Sequence, residues 1–259
     1  MAGGESFFRK LQAFLDPTAE EASFLARVLA RQHRAEARRT LVAEGEAHAA
    51  SFVLLDGWSV RYKTMTDGRR QILNVILPGD MIGLEAHVIA QASASVTTVT
   101  PCTIAEFRPA ATVRMLGEHP RLAAALLWAT SREEAFLGER LLSLGRRPAI
   151  DRIGHFFVEL YHRLRLVGLA NGDAVFEAPL NLDQIGDALG LSVVHVSRTF
   201  GRLRALKLLD RRNHHVAIRD LDALERRVEF PGLYLGRRLS NGDRYLRERF
   251  GPEDLESCF

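Results

Sequence analysis

Cysteine is nearly absent from this 259-residue chain, with only Cys102 and Cys258 present. Two thiols make no disulfide framework and have no metal-site spacing, which suits a reducing cytoplasm. Long apolar runs are also missing. No stretch approaches the roughly 18 residues that span a membrane, and the opening MAGGESFFRK has no apolar signal core. The expected location is therefore cytoplasmic, with no membrane partner. The chain also lacks a paired nucleophile and base, a metal-ligand cluster and a glycine loop shaped to cradle phosphates. An enzyme is not expected, and no cofactor or metal is implied.

Charged residues make up 26% and hydrophobic residues 47%, ordinary values for a water-soluble globular chain long enough for two cores. The net charge of +3 is unevenly spread. Residues 1–145 hold 16 Lys and Arg against 16 Asp and Glu, residues 146–219 hold 12 against 7, and residues 220–259 hold 7 against 9. The middle segment thus carries the positive excess, together with five histidines. Attraction to phosphate asks for such an excess, and a merely solvated face is the alternative.

That same segment contains LDQIGDALGLSVVHVSRTFGRLRALKLL, Leu182–Leu209. Leu182, Ile185 and Leu189 recur at helical spacing, and Gly186 and Ala188 are small enough for a second helix to approach. Gly190 tolerates the positive φ of a sharp turn. Ser192 is a good N-cap for a second helix in which Val193, Val196, Phe200, Leu203 and Leu206 are in register. The opposite face of that helix carries His195, Ser197, Arg198, Arg202 and Arg204, the short polar and Arg side chains that reading a major groove requires. The pattern predicts a helix-turn-helix bound to double-stranded DNA, with an inert helix pair as the alternative.

Upstream, Phe7, Leu11, Phe14, Phe24, Leu25, Val28 and Leu29 form the apolar stripe of a helical lead from Ser6 to Arg31. Short β-rich runs follow at Thr40–Val42, Ser51–Leu55, Ser59–Thr64, Gln71–Leu77, Ser95–Thr100 and Thr103–Phe107, broken by Gly45, Asp56-Gly57, Asp67-Gly68 and Pro78-Gly79-Asp80. Many short, evenly spaced strands predict a double-sheet β-roll. A long helix then opens after Pro120 and runs to about Leu144. Leu122, Leu126, Ala129, Glu133, Phe136, Arg140 and Leu144 trace one stripe on it, with Leu127, Leu137 and Leu141 beside it. The near-heptad seam favours pairing with a second copy into a homodimer, packing within one subunit being the alternative. Gly145-Arg-Arg-Pro148 reads as a hinge before a helix from Ala149 to Val167, with Ile153, Phe156, Phe157, Leu160 and Leu164 inward. After the helix-turn-helix, Leu208–Asp210 and His215–Ile218 read as a wing around Arg211-Arg212-Asn213-His214, whose basic tip either touches phosphates or stays solvated. The expected units are 1–119, a helical lead and roll; 120–145, a dimerisation helix; 146–227, the winged helix-turn-helix; and 228–259, an extension of undecided role. The fold class is α+β.

In that order, β-roll, long helix, hinge and winged helix-turn-helix, the chain resembles the CRP/FNR family of bacterial transcription regulators over roughly residues 25–230. Its landmarks are Glu44-Gly45-Glu46, Leu54-Leu55-Asp56-Gly57, Leu77-Pro78-Gly79-Asp80 with Ile82-Gly83, and Gly190-Leu-Ser-Val-Val-His-Val-Ser-Arg198. The resemblance implies a cyclic-nucleotide-binding-type roll, a homodimer on a roughly palindromic operator, and work with RNA polymerase. Members that bind cyclic AMP carry a Gly-Glu pair and then an Arg-Ser/Thr-Ala triplet. Here Gly83 is followed by Leu84, with Glu85 one place late, and the triplet reads Ala92-Ser93-Ala94. Without its guanidinium, a buried phosphate loses a charge-assisted pair contributing several kcal/mol on the order of a buried charge pair. Gly83, Leu84, Glu85, Ala92 and Ser93 are thus expected to form a degenerate effector pocket. Oxygen-sensing members need four cysteines, which two cannot supply, so Cys102 reads as a small core residue. The alternative regulator holds another ligand in the roll, with Leu84, His87 and Ala92 lining its pocket, or a haem on His33, His48 or His87.

By the same resemblance, Arg198 occupies the position that reads guanine O6 and N7, and Ser197 a serine position of the FNR branch. Val194 replaces the usual Glu and would pack against a thymine methyl, giving a half-site related to, yet distinct from, TTGAT and TGTGA. His195 either adds a base or phosphate contact or stays solvated. Ser192, Arg202, Arg211, Arg212 and His214 are expected on phosphates.

Overall fold

A computed structural model describes residues 4–47, 50–87, 89–232 and 235. Expectations for His48, the His87 side chain, Cys258 and most of the extension lie outside the described residues. The helical lead consists of two helices, α1 (Glu5–Gln12) and α2 (Ala19–Val28). Pro17 disfavours helical geometry at Asp16, and Thr18 starts α2 afresh. Its hydroxyl accepts from the Glu21 amide at 3.2 Å, and the Glu21 carboxylate accepts from the Thr18 amide at 2.7 Å.

Eight strands follow. They are β1 (Gln32–Ala35), β2 (Thr40–Val42), β3 (Ser51–Asp56), β4 (Ser59–Thr64), β5 (Arg70–Ile76), β6 (Met81–Ile82), β7 (Ser95–Thr98) and β8 (Cys102–Phe107). They build two antiparallel sheets, ordered β1-β8-β3-β6 and β2-β7-β4-β5. Their facing sides bury Val42, Leu54, Ile76, Ile82, Ala92, Val96, Cys102 and Ile104, each full burial of a Val, Leu or Ile contributing about 1.5–3 kcal/mol. The six strands read from sequence are present within two residues at each end. β1 and β6 were not expected: β1 is polar and largely exposed, and its pairing with β8, Gln32 opposite Ala105 and Ala35 opposite Cys102, makes it a strand.

Two further helices follow the roll, α3 (Pro109–Glu118), which was not expected, and α4 (Pro120–Arg146). The expected dimer stripe on α4 needs correction. Leu122, Phe136 and Arg140 are buried within their own subunit, and Leu126, Ala129, Glu133 and Leu144 are half-buried. The outward apolar line is Leu127, Leu137 and Leu141, which are 70%, 37% and 72% exposed. An amphipathic helix with apolar residues on two faces cannot reveal which face its own subunit takes. The hinge read at residues 145–148 narrows: α4 continues through Arg146, and the chain turns at Arg147, held extended (ψ 136°) ahead of Pro148.

Beyond it lie α5 (Ala149–Leu166), β9 (Val175–Glu177), α6 (Leu182–Leu189), α7 (Val193–Ala205), β10 (Leu209–Arg212), β11 (His215–Ile218) and α8 (Leu221–Arg227). A third sheet is ordered β10-β11-β9. Ile153, Phe156, Phe157, Leu160 and Leu164 of α5 are buried in one apolar cluster that includes Trp58, Val60, Ile72 and Val75 of the roll. The winged unit is therefore seated on the β4–β5 hairpin, and Arg70 meets Asp187 of α6 at 2.8 Å. Among the described residues, no helix is long and apolar enough to cross a membrane.

Candidate nucleic-acid interface

The helix-turn-helix is fixed by small residues and caps. Asn181 starts α6 through a reciprocal pair with Gln184, at 2.8 and 2.9 Å. Gly190 ends it in the left-handed region (φ 63°), and a Cβ on Gly186 would come 2.4 Å from the Leu191 carbonyl oxygen. The chain reverses sharply there, and the Ser192 hydroxyl accepts from the His195 amide at 3.3 Å to begin α7. Val196, Thr199, Phe200 and Leu203 turn inward. That register leaves Val194, His195, Ser197 and Arg198 together on the outer face, with Val194 65% exposed.

The arginines around this face differ in what holds them. Arg198 and Arg202 are exposed, and no hydrogen bond or ion pair engages either among the described residues. Arg204 is tied to Asp210 at 2.7 Å, and its hydrogen bond keeps that carboxyl below the usual range. Arg212 lies 3.5 Å from Asp210 and remains 82% exposed. Arg211 differs from these: its guanidinium donates to the Leu180 carbonyl and lies 5.6 Å over the Phe200 ring. It is half-buried, and burial lowers its pKa. The turn of the wing is Asn213-His214, with Asn213 at φ 56°, because Arg211 and Arg212 belong to β10, opposite Val216 and His215. His214 is exposed at that tip.

The residues expected around an effector are only partly brought together. Ala92 lies 3% exposed in the apolar filling of the roll. Ser93 donates its hydroxyl to Glu85 at 3.3 Å. Gly83, Leu84 and Glu85 instead face a cavity of about 590 Å³ shared with α4, whose wall includes Leu126, Ala129 and Glu133. Residues read as two separate features thus line one groove. His33 lies on the surface, 3.6 Å from Glu106. Cys102 is buried, its thiol 3.6 Å from the Ser59 hydroxyl, and burial pushes its pKa up.

Sequence reasoning missed a buried ionic network between roll and winged unit. Arg163 of α5 donates to Asp80 (2.7 Å), the Val75 carbonyl (2.6 Å), Asn74 (3.1 Å) and Glu159 (3.4 Å). Glu159 also takes Arg140 at 3.4 Å, while Asn74 donates to Glu133 at 2.8 Å and Arg61 pairs with Glu133 at 2.9 Å. The available signal was Glu159 and Arg163, one turn apart among the buried residues of α5. Nearby, burial and the cations Arg147 and Arg140 pull His155 down to about 3. Glu139, 3.4 Å away, does not reverse this because Arg147 already holds it at 3.0 Å.

A two-sheet roll joined through a long helix to a winged helix-turn-helix, with its second helix bare on the outside, defines a DNA-binding transcription regulator. Family comparison agrees. A cyclic nucleotide-binding domain model matches residues 32–119, and a Crp-like helix-turn-helix domain model matches residues 151–227. The chain belongs to the CRP/FNR family of transcription regulators, whose members are not enzymes. It is 31% identical to the transcriptional activatory protein AadR of Rhodopseudomonas palustris over 70% of this chain and 74% of that one. It is 35% identical to the nitrogen fixation regulation protein FixK of Azorhizobium caulinodans, over 68% and 70%. The solved structure of FixK2 from Bradyrhizobium japonicum superposes with a TM-score of 0.68 at 24% identity, covering 75% of this chain and 95% of that one.

Proposed function

We propose that the chain regulates transcription in the cytoplasm as a homodimer on a roughly palindromic DNA site, working with RNA polymerase and needing neither cyclic AMP nor an iron–sulfur cluster. The observation that carries this reading is the outer face of α7, where Val194, His195, Ser197 and the unpaired Arg198 stand together in solvent. Arg198 reads guanine, Val194 packs on a thymine methyl, and Ser192, Arg202, Arg212 and His214 meet phosphates. Arg211, expected on a phosphate, serves instead as the brace between the wing and α7. Leu127, Leu137 and Leu141 supply the outward apolar line for a second copy. Independence from cyclic AMP is supported by Ala92 in place of the phosphate-binding Arg, packed among apolar neighbours, and by Glu85 already accepting from Ser93.

The test is selection from random duplex DNA with purified protein and no small molecule added. The expected product is a palindrome whose half-sites lie about 34 Å apart. Failure of folded, dimeric protein to enrich any sequence would overturn effector independence. A guanine-free half-site would overturn the role of Arg198.

A further inference from the structure

At the base of the wing, the carboxylate of Asp210 is shared by three arginines that come from three places in the chain. Arg204, at the end of α7, lies 2.7 Å away, Arg212 of β10 lies at 3.5 Å, and Arg219, just past β11, at 3.8 Å. The carboxylate is 11% exposed, whereas those side chains are 57%, 82% and 59% exposed. One negative charge thus lies beneath three positive ones that reach into solvent. Arg204 is held twice, since it also donates to the Arg211 carbonyl at 3.2 Å. These bonds tie the last turn of α7 to the first strand of the wing. Ser197, Gly201 and Arg204 recur at helical spacing, so Arg204 sits on the side of α7 that carries Ser197. Arg219 belongs to the base of the wing, where its amide donates to the Leu208 carbonyl at 2.8 Å. Arg212 stands nearer the tip, opposite His215.

Attraction between arginine and phosphate is blind to sequence, so every unrestrained arginine strengthens binding to any duplex. Specificity is the difference between that background and binding at the right site. Arginines kept on Asp210 lower the background, while Arg212, the most exposed of the three, stays available to a phosphate. The bonds of Arg204 also set the wing against α7, which matters where bases and phosphates must be met together. We propose that Asp210 is a specificity-determining residue, withholding Arg204 and Arg219 from sequence-blind phosphate contact and positioning the wing on α7. That role rests on α7 being the helix that meets the bases.

The experiment titrates the full chain onto two labelled duplexes at several salt concentrations, the palindrome enriched by selection and a random-sequence pool of equal length. Asp210→Asn keeps the shape and removes the charge. It should bind the random pool about 3–10 times more tightly near 0.1 M salt and steepen the salt slope there by about one. The palindrome should gain less, so that discrimination falls by at least about threefold. Asp210→Glu, which restores the charge, should return both quantities toward wild type, and a Glu variant that behaves like Asn would overturn the role. So would unchanged random-pool binding by Asp210→Asn, or equal gains on both duplexes. An equal loss on both at unchanged slope would mark Asp210 as part of the fold only. If Asp210→Asn does not fold, Arg219→Gln at the surface decides. It should leave the random-pool slope unchanged, and a slope shallower by about one would show that Asp210 does not withhold Arg219. Arg198→Ala, run alongside, separates this role from base reading. Wild-type sequence preference in that variant would overturn base reading by α7. Lost preference there, beside wild-type discrimination in Asp210→Asn, would overturn the role of Asp210 alone.

Discussion

Arg163 and Arg198 carry the same guanidinium to opposite ends of the winged unit. Arg163 is 5% exposed and uses its donors on Asp80, Asn74, Glu159 and a backbone carbonyl. Arg198 is in solvent and uses its donors on nothing among the described residues. In a buried junction a paired charge fixes geometry, since each partner would cost several kcal/mol if left alone. On the surface a pair contributes about 0–1 kcal/mol, so an arginine there is available to a phosphate or a base at little cost. Arg212, 3.5 Å from Asp210 and largely in solvent, is closer to the second kind, while Arg204, bonded to Asp210 at 2.7 Å, stands between the two. Arg211, inserted between Leu180 and Phe200, is of the first kind despite its place in the wing.

The largest effect that would separate the two ends is Arg163→Met. It should destabilise the chain by about 3–5 kcal/mol in urea unfolding, because Asp80 and Glu159 lose a shared partner. A cost below about 1 kcal/mol would mean that the junction is not an ionic lock. Arg198→Ala should leave stability within about 0.5 kcal/mol while losing about 1–3 kcal/mol of discrimination at one guanine, measured by competition between site variants. Unchanged sequence preference would move base reading elsewhere.

His155 offers a graded test. Its pKa is about 3 in the folded chain, below the ordinary 6.5, so the unfolded chain binds the extra proton. The associated stability is complete above pH 6.5 and falls with acid by about 1.4 kcal/mol per pH unit, until the folded value is reached. His155→Leu should flatten the pH 5–6.5 part of that curve, and an unaltered slope would assign the dependence to other groups. The smallest effect is Arg212→Ala, which should weaken binding to all duplexes alike and reduce the salt slope by about one, read from titrations at several salt concentrations. A sequence-dependent loss would place Arg212 on a base edge.

Much of the α7 interface was legible because it is local. Gly186, Gly190, Ser192 and the register of Val196, Phe200 and Leu203 fix which side chains face outward within one short stretch. The strands of the roll were legible for a similar reason, as apolar β-formers between turn residues. β1 was not, because Gln32–Ala35 has no apolar pattern and owes its strand to the partner β8. Arg211 was read as a phosphate contact because charge is visible in a sequence and direction is not.

From the sequence came the order of elements, the caps and turns, the scarcity of thiols and the presence of Ala92 where the family resemblance leads one to expect an Arg, all properties of single residues or near neighbours. Tertiary structure alone decided which face of α4 meets its own subunit, that Glu85 belongs to Ser93, and that Asn74, Asp80, Glu159 and Arg163 converge. Those pairings join residues distant along the chain. Burial sets their energy, and a side chain's burial depends on every element packed around it.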